Sequence, residues 1–110
     1  MDWIKFARGF GVMLIAKHLQ RDYNKLYKQL RTIVWPYAII VEIADLEIAV
    51  YKTFPSIAEI RTCLARLKTD CLRLVRDNED LKEAFEVLEK TLDDGPEVYA
   101  KLDVRHEGAA

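Results

Sequence analysis

The sequence predicts an all-α fold, a bundle of four principal helices plus a short C-terminal helix, on three observations. Leu, Ala, Lys, Arg and Glu dominate a chain of 110 residues with only 4 Gly and 3 Pro, too little turn chemistry for an all-β protein. Apolar residues recur at three-and-four spacing along almost the whole length, the mark of amphipathic helices. The breaks are few and sharp: Pro36, Phe54-Pro55, Asp77-Asn78 and Gly95-Pro96. With 51% apolar and 32% charged residues, the composition excludes a disordered chain. It supports one compact domain, expected over residues 1–104, with a tail over 105–110 that has nothing to bury.

Taken in order, Trp3, Phe6, Ala7, Phe10, Met13 and Leu14 form the first stripe, weakened by Gly9 and Gly11. A cleaner stripe follows from Asp22 onward: Tyr23, Leu26, Tyr27, Leu30, Ile33 and Val34. The two stripes belong either to one helix bent near residues 20–22 or to two. Pro36 lacks the amide a helix interior needs, so it begins a new helix or kinks the old one. Residues 37–52 are apolar around most of the circumference, interrupted by Glu42, Asp45 and Glu47, which predicts burial on more than one side. Phe54-Pro55 ends that helix, and Ser56-Ile57-Ala58-Glu59 reads as a capping box opening the next.

The helix over 57–77 divides into two faces. Ile60, Cys63, Leu64, Leu67, Cys71, Leu74 and Val75 fall on one side, Arg61, Arg66, Lys68, Arg73 and Arg76 on the other. Asp77 or Asn78 caps the following helix, whose first turn holds Glu79 and Asp80 and whose stripe is Leu81, Ala84, Phe85, Leu88 and Leu92. Asp93-Asp94-Gly95-Pro96 is a stop, after which Pro96 starts a short helix through Leu102.

Several function classes are excluded on chemical grounds. The longest uncharged run, Thr32 to Val41, is far below the ~20 apolar residues that cross a bilayer. The N-terminus has no small-residue cleavage site after its apolar stretch, so no secretory signal is expected. Cys63 and Cys71 are eight apart on one helix, roughly 12 Å between Cα atoms, too far for a disulfide; they are expected to be buried and reduced, in a cytoplasmic protein. Gly-rich phosphate loops and nucleophile elbows are absent. His18 has Asp22 at i+4, a pattern that surface histidines show incidentally. Glu42 and Asp45 lack the Glu-x-x-His partners of a bundle metal site, so neither metal nor cofactor is expected and the chain is not expected to be an enzyme.

Two constellations remain as candidate sites. Trp3, Phe6 and Phe10 open the chain on one helical face with Lys5 and Arg8 beside them, and are expected to dock a protein partner or a second copy. Arg61, Arg66, Lys68, Arg73 and Arg76 form a ridge suited to a phosphate backbone. Charge is also segregated: residues 1–36 carry +5 and residues 37–110 carry −6, a dipolar arrangement that concerns partners more than fold.

Leu26-Tyr27-Lys28-Gln29-Leu30-Arg31 resembles the signature of the LYR-type helical mitochondrial accessory proteins, with Lys28 where their arginine stands. The match covers those residues alone, and no function is carried over from it. Size and helicity are also similar to small helical subunits of CRISPR effector complexes, an analogy resting on no motif. The expectation is a non-catalytic helical interaction module, a small subunit of a larger assembly, docking through its aromatic N-terminal helix. The alternatives are a nucleic-acid-backbone-binding subunit of a ribonucleoprotein and a peripheral membrane-associated protein.

Overall fold

The computed structural model describes the backbone of residues 3–109 and the side chains of residues 16–94. Four helices follow one another: α1 (Trp3–Leu30), α2 (Tyr37–Val50), α3 (Ile57–Leu74) and α4 (Glu79–Ala109), with no strand among the described residues. The two N-terminal stripes therefore lie on one helix. The short helix expected from Pro96 to Leu102 and the tail over 105–110 lie outside the described side chains. The bounds of α4 run without a break through Gly95-Pro96, where a stop is expected, and on across both stretches as far as residue 109.

One rhythm accounts for the packing. Leu19, Tyr23, Leu26 and Leu30 of α1 are buried at successive spacings of four, three and four. Ile60, Leu64, Leu67 and Cys71 of α3 repeat that spacing, as do Leu81, Phe85, Leu88 and Leu92 of α4. On α2 the same positions are Ile39, Ile43, Leu46 and Val50, of which Ile43 is half-buried. An average step of about 3.7 residues, close to the helical 3.6, keeps one side of each helix facing its neighbours. Each helix touches two others, α1 with α4 and α2, α3 with α2 and α4, so the four close into a ring around this shared core.

The helix ends explain the connections. Trp35 is buried between α1 and α2, and its Nε1 donates to the Leu30 carbonyl at 2.9 Å, satisfying one of the orphan acceptors at the end of α1. Pro36 stands just before α2, and its carbonyl accepts from the Ile39 amide at 3.0 Å. Asn78, rather than Asp77, caps α4: its Oδ1 accepts from the Leu81 amide at 3.0 Å.

Several expectations are corrected. Only half of the capping box forms: Ser56 Oγ accepts from the Glu59 amide at 3.3 Å, while the Glu59 carboxylate pairs with Lys52 Nζ at 2.7 Å instead of reaching back. α1 stops at Leu30, so Val34 leaves the stripe and stands 99% exposed in the connector. α3 stops at Leu74, short of residue 77, and Leu74 is 52% exposed because the ring closes one turn earlier, at Cys71. Of the two thiols, Cys71 is buried and Cys63 only half-buried. Most consequentially, among the described residues α2 is covered on one side only.

Candidate docking surface

α2 turns Ile39, Leu46, Ala49 and Val50 inward. Its other face holds Tyr37, Ile40, Val41, Ala44, Ile48 and Tyr51, all exposed. Their spacing is i, i+3, i+4, i+7, i+11 and i+14, which at 100° per residue places every one within about 60° of a single line along the helix. Tyr37 is 80% exposed and Ile48 61% exposed. The stripe runs about 21 Å, with the small Ala44 near its middle. Asp45 and Glu47 are exposed at its two edges, and Val34 and Phe54, in the flanking connectors, are exposed as well. Isolated exposed apolar residues are ordinary, but a continuous helical stripe of them is the form in which amphipathic helices are recognised.

The end of the stripe is anchored to α1. Tyr51 lies edge-on to the buried Tyr23 ring, with centroids 6.0 Å apart, and its hydroxyl donates to Asn24 Oδ1 at 2.9 Å. Tyr27 stacks on Tyr23 with centroids 6.1 Å apart. The Tyr23 hydroxyl has no hydrogen-bond partner among the described residues, and burial, reinforced by the Glu47 carboxylate, pushes the phenol above its ordinary range.

The basic residues of α3 are placed differently from a free ridge. Arg61 and Lys68 reach across to α4: Arg61 Nη1 pairs with Asp93 at 2.9 Å and its Nη2 donates to the Leu92 carbonyl at 3.2 Å, while Lys68 Nζ meets Glu89 at 2.8 Å. Arg73 lies 3.9 Å from Asp70. Asp70 in turn faces Glu42 of α2, whose carboxyl burial and the neighbouring Asp70 push upward, against the opposing effect of Arg66 and Arg73. Arg66 and Arg76 are exposed. Arg61 and Lys68 thus meet carboxylates of α4 and Arg73 stands near Asp70, while no ion pair is formed by Arg66 or Arg76 among the described residues.

His18 is exposed, and Asp22 turns away from it into the α1–α4 contact, where it is buried and accepts from Thr91 Oγ1 at 2.5 Å. Asp45 is exposed and does not join Glu42. No group of three or more His, Cys, Asp or Glu suited to a metal ion occurs among the described residues. No helix there is long and apolar enough to cross a membrane. The side chains of Trp3, Phe6 and Phe10 lie outside the described residues.

Sequence reasoning read the α2 stripe as core. The signal was present in the composition of 37–52, apolar nearly all round, because one neighbour layer in a four-helix ring covers only half of such a helix. No protein-family model, curated protein or solved structure matches this chain.

Proposed function

We propose that this protein is a non-catalytic helical interaction module, a small subunit of a larger assembly. It docks a partner helix on the outer face of α2. The observation that carries this reading is the unbroken exposed stripe Tyr37, Ile40, Val41, Ala44, Ile48 and Tyr51. Burying such a stripe in an interface removes several large apolar side chains from water, each worth about 1.5–3 kcal/mol when fully covered. Aromatic anchors at both ends suit it to concentrate binding energy in a few contacts. The aromatic N-terminal segment, with Trp3, Phe6 and Phe10, is proposed as a further contact on the strength of its sequence spacing.

The nucleic-acid reading of the α3 ridge has less support, because Arg61 and Lys68 already hold α4 carboxylates. The experiment is affinity purification of the tagged chain from its native source, beside Ile48→Glu. We expect the variant to keep its helical circular dichroism and urea midpoint while the co-purifying protein disappears. Retention of the same partner by a folded Ile48→Glu protein refutes docking on this face.

A further inference from the structure

We infer that the partner of the α2 face is an amphipathic helix continued by an acidic run, the apolar part lying on the stripe and the acidic part on α1. This rests on the docking reading above and adds the chemistry of the occupant. The observation is a cationic ridge on α1 that the end of the apolar stripe meets near its middle, where Tyr51 bonds to Asn24. Lys17, Arg21, Lys25 and Lys28 project from the outer face of α1, with Asn24 between them and Tyr51 closing one side. Together they border a shallow depression of about 470 Å³. At 100° per residue the four cations fall within about 80° of one another over roughly 16 Å of helix.

Among the described residues their charge is largely unpaired. Arg21 Nε approaches Asp22 at 3.5 Å, but Lys17, Lys25 and Lys28 have no carboxylate within ion-pair distance among the described residues. Asp80 and Glu83 of α4 line the far side of Lys25 and Lys28 without pairing with them. This differs from α3, where Arg61 and Lys68 are each matched by an acid. Tyr51 belongs to both surfaces, as the last member of the stripe and a wall of the basic depression, so one ligand crossing it meets aliphatic side chains on one side and ammonium groups on the other.

That adjacency selects among occupants. A phosphate backbone complements the ridge but has no use for Ile40, Val41 and Ile48. A second copy is mismatched: antiparallel two-fold packing of a helix on its own stripe brings like edge to like edge, setting Glu47 against Glu47 and Asp45 against Asp45. A helix with an acidic extension complements both parts.

The test is a fluorescence-anisotropy titration of the full chain with designed helical peptides of about 21 residues, long enough to cover the stripe. They carry Leu at i, i+3, i+4 and i+7, neutral edges, and an extension of either Glu or Lys. We expect the Glu-extended peptide to bind about tenfold more tightly than the Lys-extended one, a preference that shrinks with added salt. Lys25→Glu/Lys28→Glu, or Lys25→Gln/Lys28→Gln if charge reversal disturbs α1, should abolish the preference while leaving binding of the apolar part. Ile48→Glu should abolish binding of both peptides.

Equal binding of the two peptides by the unaltered chain overturns the acidic extension and leaves the docking face standing. Failure of both to bind overturns the docking face itself. A dimer in light scattering that Ile48→Glu dissociates assigns the stripe to a second copy and overturns the inference. So does a poly-dT oligonucleotide that binds more tightly than the acidic peptide and is lost in the Lys25/Lys28 variants.

Discussion

α2 and α3 lie side by side and give the core the same spacing of four, three and four, yet their outer faces are opposites. The outer face of α3 is charged and engaged: Arg61 and Lys68 bridge to α4, and Arg73 stands over Asp70. The outer face of α2 is apolar and exposed from Tyr37 to Tyr51, and of its stripe Tyr51 is the member held by α1. A sequence reader expects the reverse, that cations advertise a ligand and apolar residues go inside. The comparison teaches that a charged face near an acidic helix is often consumed by its own neighbour. An apolar surplus that exceeds what one ring of helices can cover is the better sign of a missing partner.

The largest expected effect breaks the comparison within α2 itself. Leu46 and Ile48 are both aliphatic and two residues apart, but Leu46 is fully buried and Ile48 mostly exposed. Leu46→Ala should cost about 2–5 kcal/mol in urea denaturation, the range for emptying a packed site. Ile48→Ala should stay within about 0.5 kcal/mol. Comparable losses at both positions mean that the outer face of α2 is already covered in the isolated chain.

On the inner face of α3, burial, with Glu42 and Asp70 adding to it, pushes the Cys71 thiol up to about 12 from 9.0. The fold therefore keeps the neutral thiol while the unfolded chain ionises near pH 9.0. The associated stability is complete below pH 9.0 and drains away as pH rises through about 12. The Tyr23 phenol, also raised by burial, acts in the same direction above its ordinary 10.0. Urea midpoints should fall over this range and fall less in Cys71→Ala. In the native protein Cys63, half-buried with its thiol raised by burial and by Glu59 and Asp45, should be alkylated before Cys71. A flat profile, or Cys71 reacting first, contradicts the packing of α3.

The smallest effect sharpens the contrast on the outer face. Arg61→Ala and Lys68→Ala should each cost about 0.2–1 kcal/mol at low salt and less at high salt, as exposed ion pairs do. Arg76→Ala, for which the described residues offer no pair, should cost nothing measurable by the same denaturation assay. If all three behave alike, the α3 cations are solvated equally and the α3–α4 bridges carry no energy.

The helical stripes were legible in the sequence because burial in a bundle follows a local period: Leu26, Leu30, Leu64, Leu67, Phe85 and Leu88 all lie inside as their spacing predicts. The breaks at Pro36, Pro55 and Asn78 were legible for an equally local reason, a missing amide or a side chain that caps the next turn. Leu74 and Val34 were misread at helix ends, where the stripe continues in the sequence after the backbone has left the helix.

The sequence by itself determined the all-helical class, the breaks at Pro36, Pro55 and Asn78 and the inward face of α1, α3 and α4, since each depends on residues within a few turns of one another. Only the tertiary structure decided which apolar face of α2 is surplus, which α3 cations are spent on α4, and that Tyr51 joins the stripe to the Lys17–Lys28 ridge. Those outcomes depend on what lies across a helix from residues such as Asp93, Glu89 and Asn24, tens of positions away in the chain, and no local period encodes them.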